Sequence, residues 1–264
     1  YIADDSTEIK NPLSSLYEKL RAEGHIVKIY HERVSTTKAR NDIIDSLQDE
    51  DYILRLDDDF HFSKETKISV MRDILEDRPE LGAIADIERQ ANDGKNLTSG
   101  EISPVQGFLV FDNDVLCKVK VPVPSWLWMR SGGHRFTIAN FTRNFLLIRR
   151  KVFTNVRWND NLIIQGEHIA FMMDLQYSGW LLAFTPDSIH DHNDPKETSK
   201  SYEDAKRSAK GHERNVEEFA RKYNITKVTA HNFISLRRAR MDSRPTLLRR
   251  SIQRLRKVLS PPKK

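Results

Sequence analysis

The chain has 264 residues, 38% of them hydrophobic, and a net charge of +5; that length accommodates one large core or two small ones. A single cysteine, Cys117, excludes an internal disulfide framework and suits a reducing compartment such as the cytoplasm. No apolar run approaches the roughly 20 residues of a membrane-spanning helix, and nothing at the start resembles a signal peptide. Sequons at Asn96, Asn140 and Asn224 keep a secretory route, with residence in the Golgi lumen, as the alternative. The charge is uneven: residues 237–264 carry eleven Lys/Arg and one Asp, or +10, which leaves −5 for the rest. A nucleic-acid-binding core would carry its positive charge on the folded domain, so nucleic acid is not the expected partner.

In chain order, "YIADDS" reads as a strand ending in acids, and 12–23 has helical periodicity. "HIVKIY" is a second strand, 36–47 a helix, and "YILRL" a third strand. Residues 64–76 form a further helix; "LGAIADI" and "GFLVF" are strands. Between Lys118 and Phe136 lies a segment rich in Pro, Trp and Gly that reads as an irregular functional loop, which Gly132-Gly133 would let move. "NFLLIRR" (strand), 167–177 (helix), "WLLAFTP" (strand) and a charged helix over 199–223 complete the folded part. Alternation of this kind predicts an α/β fold, a mostly parallel sheet covered on both faces. The expected division is a catalytic domain over 1–198 and a C-terminal helical region over 199–264. The chain opens at Tyr1, already inside a strand-like segment, so a preceding strand is expected.

The acids demand an explanation. "YILRLDDDFHF" runs an apolar strand into Asp57, Asp58 and Asp59, and "YIADDS" ends on Asp4 and Asp5. In α/β sheets ligands bind at the carboxyl ends of strands, so both clusters are expected to face one crevice. Carboxylates on a rigid edge suit a hard divalent cation that completes its shell with phosphate oxygens and water. The plain alternative is a solvated acidic turn capping the next helix.

At these residues the chain resembles the family 2 glycosyltransferases of the GT-A fold. Four ordered blocks carry the resemblance: "YIADDS", "STTKARNDII", "YILRLDDDF" and "GEHIAFMMDLQYSGWLLAFTPDSIHDH". The resemblance implies that Asp5, with Asp4 beside it, contacts the uracil of a UDP-sugar, and that Arg40 lies next to the same base. It implies that Asp57 and Asp58 lie near the ribose and sugar. Asp59 matches the last acid of a DxD motif that holds Mn²⁺ or Mg²⁺, with Asp57 and His192 as further candidate ligands; His190, two residues away, confuses that register. Inverting transfer needs a carboxylate to take the acceptor hydroxyl's proton. Glu167 is the candidate base, followed by His168 where many family members have Asp. His168, Trp126 and Trp128 fall on the acceptor side, although core packing explains the tryptophans equally well. "GEH…F" with a downstream "DH" also looks like β-1,4-N-acetylgalactosaminyltransferases, which implies a hexose or N-acetylhexosamine donor; the expected acceptor is a glycan or, given the basic amphipathic tail, a lipid-linked one.

Two other readings stay open. A nucleotidyltransferase would also use strand-end acids, yet no Gly-rich phosphate loop with its lysine is present. An inert carbohydrate-binding or scaffold protein of the same fold could dispense with Glu167 and Asp59, and this chain retains both. In the tail, Leu248, Ile252, Leu255 and Leu259 make a helical stripe beside Arg250, Arg254 and Lys257. Residues 244–264 therefore suit peripheral contact with an anionic membrane, or packing on the core or a partner.

Overall fold

The computed structural model describes residues 1–4, 13–30, 34–57, 59–90, 102–103, 107–120, 128–162, 166–192 and 209–232. Asp5, Asp58, Trp126 and the tail 244–264 lie outside them. The first elements are β1 (Ile2–Asp4), α1 (Leu13–Ala22), β2 (Val27–Ile29), α2 (Thr36–Ile44), β3 (Tyr52–Arg55), β4 (Phe60–His61) and α3 (Ile68–Asp77). Then come β5 (Leu81–Gln90), β6 (Ile102–Ser103), β7 (Gly107–Asp112), β8 (Val115–Lys120), β9 (Met129–Ser131), β10 (His134–Ala139) and β11 (Leu146–Arg149). A 3₁₀ turn (Arg150–Thr154), α4 (Glu167–Tyr177), β12 (Leu181–His192), α5 (Ala209–Tyr223) and β13 (Lys227–Asn232) follow.

Side-chain alternation along the central strands builds a core on each face of the main sheet. On β5 Ile84 faces one cluster and Ala83 and Ala85 the other, while Leu81, which precedes the irregularity in the β5–β12 ladder, joins Ile84. On β11 Leu147 goes one way, Leu146 and Ile148 the other. The first face is closed by Val70, Met71, Ile74 and Leu75 of α3, the second by the apolar residues of α4 and by Val152 and Phe153 of the 3₁₀ turn. The expected mixed α/β fold, covered on both faces, is therefore present.

The direction of the ladders departs from the expectation of a mostly parallel sheet. The main sheet runs β3-β11-β5-β12-β10-β9, with β4 added to β12 and β6 to β5. Only β12 with β5 is parallel there; β1 with β2 and β8 with β13 are parallel ladders of two smaller sheets. The reason is local. β7 and β8 are joined by two residues, as are β9 and β10, and so short a link can only join antiparallel strands. β11 then enters between β3 and β5, antiparallel to both.

Of the segment 118–136, residues 121–127 lie outside the described residues; in the described part Gly132 and Gly133, at φ +55° and +87°, form the turn of the β9–β10 hairpin, where positive φ at both positions is what such a turn requires. Of the region 199–264, residues 209–232 are described: Phe219 and Ile225 join the core cluster of α4, and β13 pairs with β8. The Asn140 sequon is committed to structure, since its side-chain amide donates to Leu109 O at 3.1 Å and accepts from Leu109 N at 2.6 Å. No helix among the described residues is long and apolar enough to cross a membrane.

Candidate functional site

The carboxyl end of β3, the end of β12, the N-terminus of α4 and the loop before β11 converge. Asp57, just past β3, is held on three sides. Arg55 donates through Nη2 to its Oδ1 at 2.8 Å, Asn144 through Nδ2 to its Oδ2 at 2.7 Å, and Arg40 of α2 reaches Oδ1 at 3.4 Å. Arg40 also extends Nη1 to within 3.7 Å of Glu167 Oε1. Next to this group, Asp59 Oδ2 lies 3.1 Å from His192 Nε2, and the other ring nitrogen of His192 lies 3.4 Å from Glu88 Oε1. Arg143, the neighbour of Asn144, sits 3.2 Å from Glu88. One chain of contacts therefore links Glu167, Arg40, Asp57, Glu88, His192 and Asp59, with Arg143 and Asn144 bridging its two halves.

The electrostatics follow from this packing. Burial pushes the Glu167 carboxyl upward, but the His168 imidazole at 3.8 Å and the Arg40 guanidinium overcome it and hold the group down to about 2. Arg55 is lowered to about 9, first by burial and then by the like charge of Arg40. His192 rises to about 9 because Glu88 and then Asp59 stabilise its charged form against burial. Arg40, Arg55, Asp59, Asn144, Glu167 and His168 each bury a side-chain nitrogen or oxygen that has no hydrogen-bond partner. Buried polar groups in proteins are almost always paired, and each exception is met by an ordered water or ion, a ligand, strain or a catalytic role.

The two acidic strand ends do not fall in one sheet. Asp4 ends β1 of the two-stranded sheet and accepts from Tyr17 Oη at 2.6 Å. Trp128 packs against the core, 6.0 Å from the Phe184 ring, which accords with the packing alternative for the tryptophans. His168 lies beside Glu167 and 5.8 Å from the Phe141 ring. Of the two histidines on β12, His192 meets Asp59, whereas His190 is fully buried against Asp86, at 2.6 Å, and stacks on Phe145.

For a divalent cation, Asp59 and His192 supply an oxygen and a nitrogen side by side, and Asp59 Oδ1 is buried without a partner. Among the described residues no cluster of three or more His, Cys, Asp or Glu is arranged around one point. The pair fits a cation that draws most of its shell from phosphate and water. Asp57, with both oxygens engaged by cationic or amide donors, is arranged as an anchor for those groups. Sequence reasoning missed Arg55, Arg143, Asn144 and Glu88. Arg55 had a signal, a charge at the end of an apolar strand; the others are placed by tertiary contact.

No family profile and no curated protein matches this sequence. A solved structure of GalNAc-T7 with UDP, GalNAc and Mn²⁺ matches with a TM-score of 0.55 at 15% identity. The match covers 74% of this chain and 37% of that one. The fold is thus of the GT-A glycosyltransferase class; the likeness is one of fold and reaches no particular family.

Proposed function

We propose that the protein is a glycosyltransferase that moves a hexose or N-acetylhexosamine from a UDP-sugar to a hydroxyl of a glycan or lipid-linked acceptor, with inversion and with Mn²⁺ or Mg²⁺ as cofactor. The observation that carries the reading is the gathering of unpaired buried polar atoms at one strand-end site of a GT-A fold. The GalNAc-T7 structure, of the same fold class, was solved with UDP, GalNAc and Mn²⁺. In this reading Asp59 and His192 would hold the cation, and the bound cation would supply charge neutralisation for the diphosphate. Asp57 and Arg40 face the nucleotide. Glu167 takes the acceptor hydroxyl's proton as the acceptor oxygen bonds to the anomeric carbon, and the bond from that carbon to the diphosphate breaks with its electron pair leaving on UDP. Glu167 is the carboxylate that opens α4, where the helix N-terminus favours an anion.

The decisive experiment is calorimetry with UDP in the presence of Mn²⁺ or Mg²⁺ and again in excess chelator, followed by a screen of UDP-sugars for transfer and hydrolysis. Binding that requires the metal supports the reading. Absence of UDP binding with metal in excess removes it. Membrane contact through 244–264 belongs to the same proposal: the tail is expected to float the protein on anionic vesicles, and less so as salt rises and the Debye length shrinks from about 10 Å at 0.1 M to about 3 Å at 1 M. Equal flotation of a form lacking 244–264 would assign that stripe to packing instead.

A further inference from the structure

Arg40 stands between the two halves of the site, and its two attachments differ in kind. Asp57, 3.4 Å from Nη2, is held independently by Arg55 at 2.8 Å and Asn144 at 2.7 Å, so it keeps its place without Arg40. Glu167 has no comparable anchor. Its Oε1 lies 3.7 Å from Arg40 Nη1 and 3.8 Å from His168 Nδ1, both beyond hydrogen-bond length, and its Oε2 is buried without a partner. Nη1 of Arg40 is itself buried and makes no hydrogen bond. An acceptor atom brought within reach of Nη1 would therefore compete only with a long ion pair, and a charge-assisted hydrogen bond of ordinary length is the stronger contact.

We infer that Arg40 couples donor binding to the base: a nucleoside diphosphate that bonds to Nη1 of Arg40 releases Glu167 from the guanidinium, so that the carboxylate is freed for the acceptor hydroxyl only after the donor is seated. The inference rests on the transferase reading above and adds an order of events to it. The charged and ionisable groups facing Glu167 are Arg40 from α2, His168 from α4 and, at longer range, Arg55 from β3. Of these, Arg40 is the one that lies within 4 Å of both Asp57 and Glu167, whereas Arg55 bonds Asp57 and acts on Glu167 only at longer range. Against burial, with His168 first and Arg40 second lowering it, the Glu167 carboxyl is held at about 2 and is a weak base, and withdrawal of Arg40 lifts one of those two causes. Coupling of this kind is reciprocal: if the nucleotide frees Glu167, then neutralising Glu167 must favour the nucleotide by the same factor.

Calorimetry of UDP with Mg²⁺ on four proteins tests this: the natural chain, Glu167→Gln, Arg40→Met and the double variant. Glu167→Gln is expected to bind UDP about fivefold tighter or more than the natural chain, the usual lower range for coupled sites. In the Arg40→Met background the same change is expected to make no difference. Should Arg40→Met retain no measurable binding, Arg40→Lys takes its place, with a reduced effect expected. Unchanged or weaker binding by Glu167→Gln in the natural background overturns the coupling, as does an equal gain with Arg40 removed, which would be simple loss of a nearby charge. Both of those outcomes leave UDP binding, and hence the transferase reading, standing; failure of every form to bind UDP removes the reading and the coupling together. A kinetic arm is independent of the variants. The acid limb of the base is expected in the pH profile of kcat, which reports the substrate complex, and is expected to be absent from kcat/KM for the donor, which reports the free enzyme. The same acid limb in both profiles would show that donor binding leaves Glu167 unchanged.

Discussion

His190 and His192 lie two residues apart on β12, on the same face of the strand, and their environments are nonetheless opposite. Phe60 touches both rings, at 4.6 and 5.2 Å, but His190 sits inside the core with Asp86 while His192 reaches Asp59 at the rim. Burial raises the Asp86 carboxyl, and Ser188 and His190 are the groups that compensate it. Removing one partner of such a buried pair strands the other. His190→Ala is therefore expected to lower stability by about 3 kcal/mol or more, measured by denaturant unfolding, and His192→Ala to cost much less while weakening metal-dependent UDP binding. The opposite assignment of effects would exchange their roles. At Glu167, the Gln substitution keeps the shape and removes the proton acceptor, so transfer is expected to fall by about 10²- to 10⁴-fold with UDP binding tightened. Normal turnover would move the base to another residue, His168 or Asp174 first.

Among the elements, α4 is placed by what precedes it. Gly166, its N-cap, has φ +83°, and a Cβ there would lie 2.9 Å from the Phe219 ring of α5. Left-handed backbone and close approach coincide at the residue before Glu167. Gly166→Ala is expected to destabilise by about 1–3 kcal/mol and to lower transfer beyond that loss, because the first turn of α4 must shift. Unfolding curves and turnover at a temperature where the variant is folded separate the two effects; unchanged turnover there would mean that Glu167 holds its place without this contact. The bounds of α4 agree with the expected helix over 167–177, since its apolar residues bury on one sheet face. β8, β9, β10 and β13 were not legible. Their residues alternate weakly, and their pairing depends on the two-residue turns and on β8 being free to receive β13 from the end of the described chain.

At the scale of the molecule, several of the described carboxylates are lowered, Glu167 and Glu218 by the largest margins. Glu167 and Glu218 are both held at about 2, against 4.5 for a free glutamate; for Glu218 the cause is hydrogen bonding to Arg221 and then to Asn159 and Asn161, against burial. A depressed folded value means that each contributes stability above about pH 4.5 and loses it as pH falls toward 2. The thermal midpoint is expected to rise a little from pH 7 to 5, because His192, raised from 6.5 to about 9, contributes in full only below pH 6.5, and to drop below pH 4.5, with a smaller drop in Glu218→Gln. An identical acid profile in that variant would place the acid-labile groups elsewhere.

By itself the sequence determined the α/β class, the placement of α1 to α4 with Glu167 opening the last of them, and the acids Asp57 and Asp59 that follow the apolar strand β3. It could do so because hydrophobic periodicity and like charges crowded after an apolar strand are local facts, readable wherever they occur. What only the tertiary structure decided was direction and partnership: that β11 enters antiparallel between β3 and β5, that α5 and β13 join the same core, that Arg40 spans Asp57 and Glu167, and that His192 rather than His190 meets Asp59. Those contacts join residues far apart in the chain. Their energies come from burial and charge pairing that exist only once the two segments are brought together, so no stretch of either segment alone carries them.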